Sequence, residues 1–299
     1  MTTLVMAARR YRLADFNELT KPRIAMLVVL TAVVGYLAGS TGATGWPTLA
    51  HLAIGTAMCA GAAGILNQVL ERDIDARMRR TLTRPIPAGR ISAGEGAAFG
   101  LAAAFGSCLY LLVFVGWLTA LLAVCTLVSY LLVYTPLKRI TPLNTIVGAV
   151  PGALPPVGGW AAARGDIGLE AVSLFAILFL WQLPHFLAIA WMYREDYARA
   201  GLAMLPVVDT GGKATGRHVT LFTLALAPIS LAPAVFGSSG SLYMVGALVL
   251  GLAFLTVGVR MARTRTASAA RHLLLASVVY LPLLLGLLVV DRVRLDILH

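Results

Sequence analysis

Asn67, Glu71 and Asp75 recur every fourth residue in the stretch NQVLERDIDARMRR, just after the apolar run Leu49 to Leu66. On a helix each four-residue step turns only about 40°, so the three side chains share one stripe while Asp73 points elsewhere. An amide oxygen and two carboxylates are hard ligands of the kind Mg²⁺ takes, with phosphate oxygens of a substrate completing its shell. Six arginines accompany them, Arg72, Arg77, Arg79, Arg80, Arg84 and Arg90. Acids holding Mg²⁺ and guanidinium groups holding phosphate would together neutralise a diphosphate leaving group. The plainer reading is an acidic helix end paired with its own arginines. The cost of acids beside a bilayer and a second acid-bearing segment weigh against it.

That second segment is WQLPHFLAIAWMYREDYARAG, Trp181 to Gly201. His185 and Tyr193 lie eight residues apart on one helical face, and Glu195 and Asp196 follow at the helix end. The plain alternative for His185 is a satisfied polar residue under a kink at Pro184. A third segment, YTPLKR, sets Tyr134 and Lys138 one turn apart, and LTKPR sets Lys21 and Arg23 at the start of an apolar run. A basic residue at either place serves equally well as a topology anchor.

The elements that must position these groups are membrane helices. Of the 299 residues 59% are hydrophobic and 12% charged, with a mean hydropathy of +0.84; soluble domains carry about 25% charged residues. Apolar stretches long enough to span a bilayer recur at 24–40, 49–70, 97–115, 117–134, 144–163, 168–193, 217–236, 241–260 and 271–290. These predict an all-α integral membrane protein with nine transmembrane helices in one domain, 1–299. The fifth stretch is unusual, with Gly148, Gly152, Gly158 and Gly159 beside Pro151, Pro155 and Pro156. Such a helix either is interrupted beside a cavity or packs closely through its small residues, and the sequence leaves both open.

With the N-terminus in the cytoplasm, nine spans put every Lys and Arg on the cytoplasmic side except Arg164, Arg292 and Arg294. The positive-inside rule accounts for that asymmetry, so the net charge of +11 does not call for nucleic acid. The unusual polar residues all gather at the cytoplasmic ends of spans two, four and six. Spans two and six each run into a loop of acids and arginines, a weak likeness between halves. Cys59, Cys108 and Cys125 fall inside spans and read as small buried apolar residues without a disulfide framework. The first twenty residues lack the apolar core of a cleaved signal peptide.

Taken together, NQVLERDIDARMRRT…RPIPAGR, YTPLKR, NTIVGAVPGALPPVGGWAA and WQLPHFLAIAWMYREDYARAGLAMLPV resemble the UbiA superfamily of membrane prenyltransferases, and within it the protohaem IX farnesyltransferase branch. The likeness runs over about residues 16 to 290. It implies nine helices around a central cavity open to the membrane, with the polar site capped on the cytoplasmic side. The first aspartate-rich motif of the family falls on Asn67, Glu71 and Asp75, with glutamate in place of the usual first aspartate. In the second, His185 and Tyr193 stand where quinone-type members carry acids, and Asp196 is kept. Tyr134 and Lys138 match a Tyr-x3-Lys motif, and Lys21 and Arg23 a basic pair before the first helix. The implied metal ligands are Asn67, Glu71, Asp75 and Asp196.

The implied reaction joins farnesyl diphosphate to a vinyl group of haem b with addition of water, giving haem O; Mg²⁺ is the cofactor and haem a substrate. Trp181, Phe186 and Tyr193 offer faces to an allylic cation. Arg72, Arg77, Arg80 and Arg84 are candidates for the diphosphate or the haem propionates. The implied setting is the cell membrane, with the C-terminus outside and a downstream haem-modifying enzyme or terminal oxidase assembly as a partner. A prenyltransferase for an aromatic or quinone precursor is the nearer alternative, which the PHF…YREDY segment disfavours. A polytopic transporter is the other class, disfavoured because the charges sit at helix ends on one side.

Overall fold

The computed structural model describes residues 12–41 and 44–298, with side chains through Arg292. Arg9, Arg10 and His299, which the sequence assigns to the two faces of the membrane, lie outside the described residues. Among those residues there is no strand, and nine helices are long and apolar enough to span a bilayer. They are α1 Pro22–Gly39, α2 Trp46–Leu70, α3 Ala93–Phe114, α4 Trp117–Leu137, α5 Asn144–Arg164, α6 Leu169–Met192, α7 Lys213–Val235, α8 Ser241–Thr264 and α9 Ala267–Leu298. All nine apolar stretches of the sequence are therefore helices. Consecutive helices pack against each other and α9 returns against α1, while α1 also packs along α5 and α6 along α9.

α5 answers the question its composition raises. It runs unbroken from Asn144 to Arg164 through all three prolines, and Gly148, Gly152 and Gly159 are contact points. A β-carbon on Gly159 would lie 1.8 Å from the carbonyl oxygen of Ala32 in α1, and one on Gly35 would lie 1.9 Å from that of Pro156. Gly148 leaves room for the ring of Tyr134 and Gly152 for the amide of Gln182. Gln182 in turn donates to Ala149 O at 2.9 Å. Close packing, rather than an interrupted helix, is what the small residues serve.

The main buried cluster joins α5 to α9 through residues such as Trp160, Ile177, Leu226, Phe254 and Leu273. Large apolar side chains also cover the outside of the bundle, among them Leu101, Phe105, Leu132 and Val249. That is the inverse of a soluble surface and suits a hydrocarbon solvent. Cys125 departs from the expectation of burial. It is exposed on the outer face of α4, where lipid replaces protein as its apolar surroundings, while Cys59 is buried and all three cysteines are free thiols.

Contacts between loops fix which helix ends lie together. Arg90 pairs with Asp15 at 2.8 Å and with Glu18 at 2.6 Å, Lys138 with Glu71, and Arg265 donates to Gly211 O. At the opposite end Arg164 reaches Thr41, Arg292 reaches Ser40 O, and Asp291 caps the first amides of α8. The basic loops thus share one end of the bundle, as the charge asymmetry requires.

Candidate active site

α2 ends at Leu70, and Glu71 has φ −100° and ψ 11° before a short helical turn Arg72–Asp75. The stripe is therefore bent at its middle residue, although the i→i+4 bonds persist through the bend: Glu71 N to Asn67 O at 2.9 Å and Asp75 N to Glu71 O at 2.8 Å. The end of α6 repeats the device. Tyr193 has φ −112° and ψ 22° between Met192 and the turn Arg194–Arg199. The likeness of halves seen in the sequence thus has a backbone counterpart.

Asn67, Glu71 and Asp75 are all buried. Asn67 Nδ2 donates to Glu71 Oε2 at 2.8 Å, and Lys138 Nζ to Glu71 Oε1 at 2.7 Å. Arg84 NH1 donates to Asp75 Oδ2 at 2.6 Å. Thr135 adds a bond to Asn67 Oδ1 at 3.3 Å. Asp75 Oδ1 is buried and makes no hydrogen bond at all. Burial raises the Asp75 carboxyl above the usual range, and the Arg84 guanidinium opposes it.

Lys138 reaches Glu71 because the end of α4 is locally rewound. Pro136 has no amide hydrogen to give, and the six residues Ser129–Tyr134 form a π-helical segment. Such segments often mark functional sites. The Thr135 hydroxyl then lies between two acceptors, Tyr130 O at 2.9 Å and Asn67 Oδ1, which share its one hydrogen, while the Lys138 ammonium lies 4.5 Å from the Tyr134 ring centroid. Lys21 stands at the N-terminus of α1 with a left-handed backbone, φ 50° and ψ 59°, directly before Pro22. Residues before proline and β-carbon-bearing residues both avoid that region. The strain buries an ammonium among Arg84, Lys138, Glu71 and Asp75, and its pKa falls to about 8, first through burial and then through the neighbouring cations.

Arg80 links the two motifs. It donates to the Tyr197 hydroxyl at 2.6 Å and lies over the rings of Tyr197 and Tyr193, 5.0 and 5.3 Å from their centroids. One face of Tyr193 is thus taken by a guanidinium. Tyr193 and Asp196 line a cleft of about 550 Å³ together with Arg79, Arg194, Arg199 and Arg265. Asp196 is paired with Arg199 and does not join the Asn67 cluster. Among the described residues no three of His, Cys, Asp and Glu gather closely enough to share one metal ion. The two acid-bearing segments of the sequence thus remain two places, and each acid is engaged by its own cation: Glu71 by Lys138, Asp75 by Arg84 and Asp196 by Arg199. Arg72 turns back to Val69 O and Asp73, and Arg77 and Arg23 are exposed. These three are not drawn into the cluster. His185 bonds to Ser277 of α9.

Thr135, Tyr197 and Ser277 were not singled out by the sequence. Thr135 and Tyr197 sit inside the YTPLKR and YREDY motifs, whereas nothing in the sequence distinguishes Ser277 from other serines of the spans.

Residues 28–284 match the model of the UbiA prenyltransferase family. The chain belongs to that family. Among curated relatives of this prenyltransferase, one from Solibacter usitatus named protoheme IX farnesyltransferase is 50% identical, covering 93% of this chain and 98% of the relative. Relatives of the same name from Koribacter versatilis and Salinibacter ruber are 47% and 46% identical, with similar coverage. A solved digeranylgeranylglyceryl phosphate synthase superposes with a TM-score of 0.81 at 15% identity, over 95% of this chain and 99% of that one. A UbiA homolog from Archaeoglobus fulgidus bound to GPP and Mg²⁺ gives 0.68 at 16% identity, over 92% and 99%. The solved structures establish the fold: an all-α UbiA-type membrane bundle.

Proposed function

We propose that this prenyltransferase joins the farnesyl group of farnesyl diphosphate to a vinyl group of haem b, giving haem O and diphosphate. The observation that carries the reading is the full-length similarity to chains named protoheme IX farnesyltransferase. The acids and cations of the Asn67 cluster support the part of this reading that concerns the departure of diphosphate. In the net reaction the farnesyl C1–O bond breaks, C1 bonds to the terminal vinyl carbon, water adds its oxygen to the inner vinyl carbon, and a proton leaves.

The donor set fits Mg²⁺: Asp75 Oδ1 is a buried, unpaired carboxylate oxygen, with Glu71 and Asn67 one and two turns back along the stripe. The ion, when bound, would neutralise diphosphate oxygens. Lys138, Arg84 and Lys21 stand ready as cations around the same acids and would exchange part of that pairing for the leaving group. Arg80 and the arginines of the adjoining cleft extend the positive field toward Asp196. Burial of the cluster keeps water from the allylic cation until the vinyl carbon has reacted.

Incubating the purified protein with Mg²⁺, haem b and farnesyl diphosphate is expected to yield a single less polar haem on chromatography, dependent on all three. Prenylation of an aromatic acid but not of haem would support the quinone-type reading instead.

The loops 71–96 and 194–216 face the cytoplasm of a cell-membrane enzyme, and the C-terminus faces out. Single cysteines in those loops, in a variant lacking Cys59, Cys108 and Cys125, should react with an impermeant reagent only from the inner face of sealed vesicles. A cysteine at His299 should react only from the other face. Labelling of both loops from outside would reverse this orientation.

A further inference from the structure

His185 follows Pro184 in α6, about 10 Å below the helix end at 1.5 Å per residue. Its Nδ1 lies 2.7 Å from Ser277 Oγ of α9. That hydroxyl has a second neighbour, the Leu274 carbonyl oxygen, at 2.6 Å. A carbonyl only accepts, so the serine hydrogen points to Leu274 O and Ser277 Oγ presents a lone pair to His185. Nδ1 therefore carries the hydrogen and donates it. A neutral imidazole has one N–H, which leaves Nε2 as a bare lone pair.

The ring is also fixed in orientation. Trp181, one turn back, donates Nε1–H to the Ser277 carbonyl at 2.8 Å and stacks on the imidazole with centroids 5.0 Å apart and planes 29° apart. Phe186 stands edge-on at 5.4 Å. Nε2 makes no hydrogen bond. The only buried unpaired side-chain nitrogen or oxygen atoms among the described residues are Asp75 Oδ1 and Ser239 Oγ, so Nε2 is not fully enclosed by protein.

This tautomer decides between two roles for the residue. A hydrogen bond to a haem propionate needs an N–H at the free nitrogen, and a lone pair there repels a carboxylate. An iron ion needs that lone pair. A histidine whose other nitrogen is held by a hydrogen-bond acceptor is the usual arrangement for metal ligation. We propose that His185 Nε2 is the axial ligand of the haem iron and that Ser277 is the positioning residue that holds it in the ligating tautomer. The assignment rests on the haem reading above. The step is a coordinate bond from a neutral imidazole, with no proton or electron released.

The test compares haem with iron-free protoporphyrin IX, which has the same ring, vinyl groups and propionates. Absorbance titrations of the purified full-length wild type should show tighter binding of haem by at least about tenfold. His185→Ala should abolish that preference and leave protoporphyrin affinity unchanged, and added imidazole should restore the wild-type Soret position. Ser277→Ala keeps the backbone carbonyl that Trp181 uses and removes only the hydroxyl. It should cut the preference on the order of tenfold with protoporphyrin affinity unchanged. A wild-type preference for haem in His185→Ala would overturn the ligation and leave the haem reading standing. A wild type that bound neither porphyrin, yet prenylated another acceptor, would remove both.

Discussion

Asp75→Asn is expected to lower turnover at least about a hundredfold while the protein inserts and keeps its helix content. The amide oxygen that replaces Oδ2 can still accept from Arg84, now 2.6 Å away, so the fold loses no partner. What disappears is the charge, together with the free oxygen Oδ1, whose place is taken by an NH₂ that repels a cation. Interactions aimed at developing charge in a water-poor site carry a large share of catalysis, whereas a neutral isostere costs the resting protein little. Glu71→Gln should also lose turnover: its amide oxygen keeps the Lys138 bond, while its NH₂ replaces the oxygen that accepts from Asn67, which must turn its own amide to meet it. Glu71→Asp restores the residue usual in the family with a shorter reach, and should retain part of the activity. The measurements are single-turnover farnesyl transfer in proteoliposomes and circular dichroism on the same preparations. Turnover close to wild type in Asp75→Asn or Glu71→Gln would remove the assignment of this cluster to diphosphate ionisation.

These residues were legible in the sequence because their signal is local. Asn67, Glu71 and Asp75 announce themselves by a four-residue spacing, and Tyr134 and Lys138 by the same spacing. The nine helices were legible because hydropathy over about 20 residues depends on nothing distant. What the sequence could not supply is pairing across the fold. Nothing near Glu71 says that Lys138 will meet it, or that Arg84 rather than Arg72 will take Asp75. The bend at Glu71 was also hidden, since the regular spacing reads as one straight stripe. The same holds for the second acid segment: motif order places Asp196 near the site but cannot show that Arg199 holds it. The tautomer of His185 depends on a serine 92 positions away, which no spacing rule reaches.

The glycines of α5 give the other large expected effect, and they separate backbone contact from flexibility. Gly158 and Gly159 are neighbours in the same helix with the same composition around them. A β-carbon on Gly159 would sit 1.8 Å from Ala32 O and 2.8 Å from Tyr36 N, both backbone atoms of α1. No rotamer change relieves that, so the two helices must part by about an ångström or more, and overpacking of this kind costs roughly 3 kcal/mol or more. On Gly158 the nearest atom would be the Thr119 methyl at 4.0 Å, which is open space for a methyl group. Alanine also gains up to about 1 kcal/mol over glycine within a helix. Gly159→Ala should therefore unfold earlier on heating in detergent and lose activity, because α1 carries Lys21 at its inner end. Gly158→Ala should match or exceed the wild type. Gly35→Ala, which opposes Pro156 O at 1.9 Å across the same contact, should reproduce the Gly159 phenotype. Equal stability of the Gly158 and Gly159 variants would mean that these glycines serve helix motion, and that the close approach of α1 to α5 is not what holds the basic end of α1 against the acids.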